Sequence, residues 1–211
     1  MGKSLFLTVI YVVCSLCYMA AQGLVNVKHY SVKDGMSQNT VQGVLQDNEG
    51  YIWMATWNGL EKFDGYSFKN YKTYPTDKVK LQYNRLVNLQ LGGNQMLVCQ
   101  SYDRRVYLFD IRRECFEDVF AYHPEVKLCT AASKIITLPN GMVWIVGTNG
   151  DLWRIDCFRY KDKGGLVYLP AHSDAERKRY VFTVSLDMQG NEWVLTDKGS
   201  VSYTHLRAHE T

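Results

Sequence analysis

Five large or charged side chains could take part in ligand recognition, and they fall in two short stretches of the sequence: Trp57, Tyr102, Asp103, Arg104 and Arg105. An aromatic ring can lie against the apolar face of a sugar, while guanidinium and carboxylate groups can hydrogen-bond its hydroxyls or an acidic substituent. These residue types therefore predict a ligand-binding surface suited to carbohydrate. The alternatives are ordinary solvated loop residues or, for Arg104 and Arg105, contacts with a neighbouring structural unit or a partner subunit.

Motifs for catalysis and metal binding are missing from the sequence. It contains no G-x-S-x-G nucleophile motif, no phosphate-binding glycine loop and no H-E-x-x-H zinc motif. His205 and His209 have the i, i+4 spacing of a helical metal pair, but no third ligand is identifiable. We therefore predict no catalytic residue, no metal and no cofactor. Carboxylates gathered by the fold into a hydrolytic site remain an open alternative.

Charge and cysteine spacing argue against two further classes of function, nucleic-acid binding and cysteine-based metal or redox chemistry. The chain has 211 residues, and 24 basic against 21 acidic residues give a net charge of +3, too small to predict a nucleic-acid surface. The cysteines beyond the N-terminal segment match no metal-site or C-x-x-C spacing and lie in or beside apolar stretches. Buried free thiols are therefore favoured, with disulfides as the alternative that export would allow; the four residues are Cys99, Cys115, Cys129 and Cys157.

The first 21 residues have the pattern of a secretory signal peptide. Lys3 is followed by an apolar run from Leu5 to Cys17, and small residues precede the polar Gln22. The run of about 13 residues is shorter than the roughly 20 that a membrane-spanning helix needs. The pattern predicts export, with an uncleaved anchor as the alternative.

A sequence repeat organises the remainder. Similar stretches surround Trp53, Trp144 and Trp193, whose intervals are 144 − 53 = 91 and 193 − 144 = 49, and a weaker copy lies at 92–100. Four units of about 46 residues therefore fill positions 41–203. In the first unit, strands are predicted at 40–46, 51–56, 60–63 and 66–71, with a type I′ turn at Asp64-Gly65.

Four short antiparallel strands in such a unit describe a β-propeller blade. The predicted fold class is all-β: a partial β-propeller of about four four-stranded antiparallel blades after an N-terminal signal-peptide helix. The recurring tryptophans are expected to pack between blades. The residues expected to hold the repeat together are Gly50, Trp53, Gly59, Asp64, Gly65, Trp144, Gly150 and Trp193.

Propeller loops that join the second strand to the third, and one blade to the next, open on the same face. The strand-joining loops are 56–58, 100–105, 148–150 and 196–198, and the segments between blades are 74–85, 121–128 and 161–179. The five candidate ligand-binding residues all lie on the predicted loops of this face.

The stretch Ser31-Val32-Lys33-Asp34-Gly35-Met36-Ser37-Gln38-Asn39-Thr40-Val41 and its continuation to Tyr71 resemble the two-component regulator propeller repeat. The resemblance is very specific over 31–71, good over 139–156, weaker over 187–199 and poor over 92–110. It implies the N-terminal part of the periplasmic sensor region of a bacterial hybrid two-component system. Complete members carry seven-bladed propellers, a membrane span and a histidine kinase, and they commonly recognise glycans and control the genes that use them.

The resemblance implies a ligand-sensing module, not itself an enzyme, that recognises a glycan or oligosaccharide. Expected partners are that ligand, further blades and downstream signalling domains, and a second copy in a homodimer; no nucleic acid is expected to bind. The expected location is the periplasm, tethered to the inner membrane. A secreted propeller enzyme acting on polysaccharide and a protein-binding scaffold are the alternatives.

The expected organisation is a signal peptide at 1–21 and a partial propeller at 22–201, with blades at 24–74, 84–120, 128–170 and 180–201. The segment 202–211 breaks the repeat and is interpreted as a non-native or frame-shifted tail. If no further blade follows, Trp193, Val194 and Leu195 should lack a stacking neighbour.

Overall fold

The computed structural model describes residues 2–3, 6, 8–11, 27–129, 131–171, 180–197 and 199–203. The chain divides into two compact units, Met1–Tyr30 and Ser31–Thr211. In the first unit, the described residues between 2 and 11 are helical. Within the described parts of the chain, no helix has both the length and the apolarity needed to cross a membrane. The predicted signal peptide lies mostly outside the described residues and stays a prediction, as does the His205–His209 pair.

The second unit is built from β-strands, which confirms the predicted all-β class. Its described part contains fifteen strands: β1 Val41–Gln46, β2 Ile52–Thr56, β3 Gly59–Phe63, β4 Phe68–Tyr71, β5 Leu86–Leu91, β6 Met96–Ser101, β7 Val106–Asp110, β8 Cys115–Glu117, β9 Ala132–Thr137, β10 Met142–Gly147, β11 Leu152–Asp156, β12 Leu166–Leu169, β13 Val181–Leu186, β14 Glu192–Thr196 and β15 Gly199–Tyr203. Two short 3-10 turns, Val32–Asp34 and Val119–Tyr122, accompany them.

The strands form four antiparallel sheets in which neighbours in sequence are neighbours in space. We call β1–β4, β5–β8, β9–β12 and β13–β15 blades 1 to 4. Blades 1 to 3 have four strands each, and blade 4 has three within the described residues. The four strands predicted for the first sequence repeat match those of blade 1 to within two residues at each end. Each blade is a meander, the arrangement expected of a propeller.

Three hydrophobic clusters lie between consecutive blades. One joins Trp53 and Leu60 of blade 1 to Leu97 and Phe109 of blade 2. The other two join blade 2 to blade 3 and blade 3 to blade 4 in the same way. Both faces of an inner blade are therefore covered, which explains why β6 is buried along its whole length and why its first four residues, 96–99, are all apolar.

Two of the three repeated tryptophans pack between blades as predicted. Trp53 and Trp144 are fully buried, and the ring of Trp53 packs at 5.4 Å from that of Phe109 in blade 2. Trp193 at the matching position of blade 4 is only half-buried, and Leu195 is 38% exposed. Val194 was expected, like Trp193 and Leu195, to lack a stacking neighbour. Instead it lies on the opposite face of β14 and is buried in the cluster shared with blade 3.

Two further details differ from the sequence prediction. The turn at Asp64-Gly65 is not type I′, because only Gly65 has a positive φ, of 97°. The Asp64 carboxylate instead accepts hydrogen bonds from the backbone of Tyr66 and Ser67, so that the turn spans four residues and β4 begins at Phe68. In blade 4, β15 extends to Tyr203, two residues into the predicted tail; residues 204–211 lie outside the described residues.

Candidate functional site

A backbone hydrogen bond repeated in every blade builds the face that carries the predicted site. The residue after the second strand donates its N–H to the carbonyl of the residue just before the first strand. The four bonds join Trp57 to Thr40 (3.4 Å), Tyr102 to Arg85 (2.9 Å), Thr148 to Ala131 (3.1 Å) and Asp197 to Tyr180 (3.0 Å). The spacing of 45, 46 and 49 residues between successive donors is the repeat length, which makes these four donor positions equivalent.

An arginine flanked by two aromatic rings occupies this face between blades 1 and 2. The guanidinium of Arg85 lies 4.2 Å from the ring centroid of Trp57 and 5.0 Å from that of Tyr102. Trp57 is 42% exposed and Tyr102 61% exposed, so both rings remain accessible to a ligand. Cation–π attraction holds the three side chains as one cluster. The corner hydrogen bond from Tyr102 to Arg85 fixes their backbones side by side.

Two shallow depressions meet at Tyr102. The first, of about 500 Å³, is lined by Trp57, Tyr83, Asn84, Arg85, Tyr102 and Asp103. The second, of about 570 Å³, lies between blades 2 and 3 and is lined by Val87, Gln100, Tyr102, Arg104, Ala132 and Ser133. We call the two together the Tyr102 groove. It crosses three blades on one face and offers aromatic surface with polar groups at its margins.

The five residues predicted from sequence divide within this geometry. Trp57, Tyr102 and Asp103 line the first depression, Arg104 lines the second, and Arg105 lines neither. Arg105 instead pairs with the Asp103 carboxylate at 3.4 Å. That carboxylate also accepts a hydrogen bond of 2.5 Å from the Ser101 hydroxyl. Asp103 and Arg105 therefore brace the loop that presents Tyr102. A ligand-binding role for the five residues stays a prediction.

Arg104 occupies a position where the third blade uses glycine. Its φ is 65°, and the matching turn residue of blade 3, Gly150, has a φ of 82°. In both turns this residue donates its N–H to the carbonyl three residues before it, at 2.8 Å for Arg104 and 3.2 Å for Gly150. A non-glycine residue with positive φ is uncommon and costs about 1–2 kcal/mol. The Arg104 carbonyl also accepts a 2.8 Å bond from Ala132 N, which realises the predicted contact with the next blade.

Arg85 and Tyr83 were not among the predicted site residues. Both lie at the end of the segment 74–85 that was predicted to open on this face. The available signal was the repeat itself, because Arg85 stands directly before β5 just as Thr40 stands before β1. Aligning the blades by their corners, rather than by their tryptophans, brings Arg85 next to Tyr102.

The carboxylate at one other concave site is already internally satisfied. A cavity of about 300 Å³ lies among the first turns of blades 1 to 3, where its lining includes Asp47, Gly92 and Leu138. The Asp47 carboxylate there already accepts hydrogen bonds from the Trp53 indole at 2.7 Å and from two backbone N–H groups. Cys99, Cys115, Cys129 and Cys157 are free thiols; three of them are buried as expected, whereas Cys115 is only partly buried. Burial raises the pKa of Cys129 to about 11 and that of Cys157 to about 12, which makes both poor nucleophiles.

Comparison with known proteins identifies the first repeat. Residues 35–58, which run from the turn before β1 to the corner at Trp57, match the family model described as two component regulator propeller. This segment is a two-component regulator propeller repeat. The resemblance predicted from the sequence is thus confirmed at the blade where it was most specific.

One curated relative matches over part of the chain. Histidine kinase P4 of Formosa agariphila is 41% identical over 54 residues, which are 26% of this chain and 4% of that protein. The present chain therefore spans only a small share of this relative.

Two solved structures share the propeller fold of this chain. Both are named as extracellular domains from B. thetaiotaomicron, one of a hybrid two component system and the other of a one component system carrying the same designation. They are 20% and 22% identical to this chain, with TM-scores of 0.53 and 0.52. Each match covers 81% of this chain and 21% of the solved domain. These comparisons support the propeller architecture, and the chain spans about a fifth of each domain.

Proposed function

We propose that this chain is a ligand-sensing, extracytoplasmic propeller module of a two-component sensor, and that it recognises a glycan or oligosaccharide at the Tyr102 groove. The repeat type at residues 35–58 and the names of the similar proteins support a sensor role. The signal-peptide pattern at 1–21 and the extracellular solved domains support a location outside the cytoplasm. Tethering to the inner membrane is part of the proposal and follows from the family resemblance.

The observation that carries the ligand class is the pair of exposed rings on either side of Arg85. Sugars combine apolar C–H faces with many hydroxyls, so they suit a surface that combines aromatic rings with hydrogen-bonding groups. Trp57 and Tyr102 supply the rings, and Arg85 and Asn84 supply donors at the margin. Because the backbone is fixed by the repeated corner bonds, the rings are held in place before a ligand arrives.

Signal transmission belongs to the same proposal. The resemblance implies further propeller blades, a kinase and a homodimeric complete protein, through which ligand binding would control carbohydrate-use genes. In this scheme the chain itself performs no catalysis. A ligand that joins blades 1, 2 and 3 across the groove would favour one arrangement of these blades, because it contacts all three.

Isothermal titration of the purified chain with a panel of neutral and acidic oligosaccharides tests the proposal. Removing one ring by Trp57→Ala or Tyr102→Ala should weaken binding by about 1–3 kcal/mol, or roughly ten- to a hundredfold. Tyr66→Ala is the matched control, because Tyr66 is 95% exposed on the β3–β4 turn and lines neither depression.

Circular dichroism of each variant checks that the fold is intact. Unchanged affinity in both ring variants would remove the groove from the binding site. Equal losses in the Tyr66 control would show that the effect is general rather than local.

A further inference from the structure

We infer that the Tyr102 groove selects acidic oligosaccharides, whose carboxylate or sulfate groups are bound by Arg85 on one side of Tyr102 and by Arg104 on the other. This inference rests on the proposed function and narrows its ligand class. It follows from two arginine side chains at the groove that have no ion-pair partner among the described residues.

Arg85 is held in place without a counter-ion. Its guanidinium is positioned by the rings of Trp57 and Tyr102. In the part of the chain that the structure describes, no carboxylate oxygen lies within 4.0 Å of it. An arginine whose faces are packed on aromatic rings keeps its N–H groups directed outward, and these groups match the two oxygens of a carboxylate or sulfate. The rings can therefore stack on a sugar residue of the ligand while the guanidinium of Arg85 binds the acidic group of that same sugar.

Arg104 supplies the second cation. Its side chain is exposed at the margin of the second depression, and among the described residues it makes no ion pair. The turn conformation that it adopts is the one for which blade 3 uses Gly150. A long, charged side chain in a backbone conformation that favours glycine is a local cost, and such costs concentrate at functional positions. Positive φ without glycine also occurs at Asn94, Gln95 and Glu114 of blade 2, so it is the exposed, unpaired charge of Arg104 that carries the argument.

The acidic group nearest the groove does not cancel these charges. Asp103 is bound to Arg105 and to Ser101, so its carboxylate is already neutralised within its own loop. The groove thus presents two arginines without ion-pair partners, one in each depression, separated by the ring of Tyr102. An oligosaccharide could pair with both arginines if one sugar residue stacked on Tyr102 and the sugar residues on either side of it carried acidic groups.

The test is titration of the purified chain with four probes of similar length. Tetragalacturonate carries carboxylates, its fully methyl-esterified form is the uncharged match, a carrageenan tetrasaccharide carries sulfates on neutral sugars, and cellotetraose is neutral. At least one acidic probe should bind at least about tenfold more tightly than the two neutral probes. The preference should shrink in high salt, because the cations are solvent-accessible.

Arg85→Gln and Arg104→Gln should each reduce the preference for acidic over neutral probes by about five- to tenfold. Because Arg85 also lies between the two rings, Arg85→Gln should weaken binding of the neutral probes as well, but by less than it weakens binding of the acidic ones. The matched control is Arg159→Gln, because Arg159 is 65% exposed and pairs with Asp162 away from the groove. Its affinities should equal those of the unmodified chain.

The outcomes separate this inference from the proposed function. Binding of neutral and acidic probes with equal affinity overturns the acidic preference and leaves oligosaccharide recognition standing. Retention of the acidic preference in both glutamine variants also overturns the role of the two arginines. Failure of every probe to bind overturns both proposals. The carboxylated and sulfated probes, compared with each other, identify which acid the arginines bind.

Discussion

The indole of Trp144 in blade 3 donates a 2.5 Å hydrogen bond to the carboxylate of Glu192 in blade 4. The equivalent tryptophans of blades 1 and 4 use an aspartate six residues earlier in their own sheet, namely Asp47 for Trp53 and Asp187 for Trp193. Blade 3 has Leu138 at the aspartate position, and the indole of its tryptophan bonds to a carboxylate of the next blade instead. The indole hydrogen bond that lies within one blade in blades 1 and 4 is therefore made between blades 3 and 4 instead.

Loss of this partner should destabilise the contact between blades 3 and 4. Glu192 is buried and also binds Arg154 through two hydrogen bonds of 2.8 and 2.6 Å. Glu192→Ala would leave the largely buried guanidinium of Arg154 without its carboxylate and would remove the hydrogen bond between blades, and should lower the free energy of unfolding by about 3 kcal/mol. Urea denaturation followed by tryptophan fluorescence measures this change. Asp162→Ala, which breaks an exposed pair with Arg159, should cost less than about 0.5 kcal/mol.

The carboxylate of Asp151 should make stability depend on pH in acid. Burial opposes its ionisation, but hydrogen bonds from Lys127, Ala171, Asn149 and Tyr168 outweigh this and lower its pKa to about 2. Because the folded pKa lies below the unfolded value of about 3.9, the stabilisation is complete above that value and is lost as pH falls from about 4 through 2.

Asp151→Asn should therefore reduce stability at neutral pH by on the order of 2 kcal/mol and flatten this part of the pH profile. Unfolding free energies of both proteins, measured by urea titration between about pH 6 and pH 2, give the comparison. Two profiles that stay parallel throughout would contradict the prediction.

Two glycines offer a matched pair for separating steric clash from backbone strain. Gly59 and Gly65 have φ values of 106° and 97°. A Cβ on Gly59 would lie 2.3 Å from the Tyr71 carbonyl oxygen, whereas one on Gly65 would meet nothing within 4 Å. Gly65→Ala should cost about 1 kcal/mol from strain, and Gly59→Ala clearly more, because the β4 backbone must move. Thermal denaturation of the two variants should reproduce this order, and equal costs would contradict it.

Arg104→Gly should separate stability from ligand selection. Glycine relieves the positive φ of Arg104, a gain of about 1–2 kcal/mol that is offset in part by its larger entropy loss on folding. The variant should thus be as stable as the unmodified chain or up to about 1 kcal/mol more stable, yet show a weaker preference for acidic probes. A marked loss of stability would mean that the Arg104 side chain is a structural contact.

The sequence was sufficient for the fold where its signal is local. The turn after β1 is set by Asp47 and Gly50, which fix one turn between two apolar strands, and the tryptophans mark the same strand in three blades. Blade 2 was the weak copy because it lacks both markers. Gly92 and Val98 stand at the aspartate and tryptophan positions, and its turns adopt positive φ without glycine at Asn94, Gln95, Arg104 and Glu114. Its backbone follows the repeat even though its side chains do not.

The site was only partly predictable, because it depends on a contact between blades. Trp57 and Tyr102 stood out as large residues at loop positions. Arg85 did not, because its partners are 28 and 17 residues away (85 − 57 and 102 − 85) and meet it only when blades 1 and 2 stack. Such pairings are set by the corner geometry rather than by any local pattern of residue types.

The corner bond shared by all four blades uses only backbone atoms at both ends, and so places no demand on the side chain it positions. Tryptophan, tyrosine, threonine and aspartate occupy the four donor positions with the same geometry. Change at these positions can therefore alter chemical preference while the scaffold beneath stays constant. A residue moved from one of these four corners to another should therefore be presented on the same face by the same backbone bond.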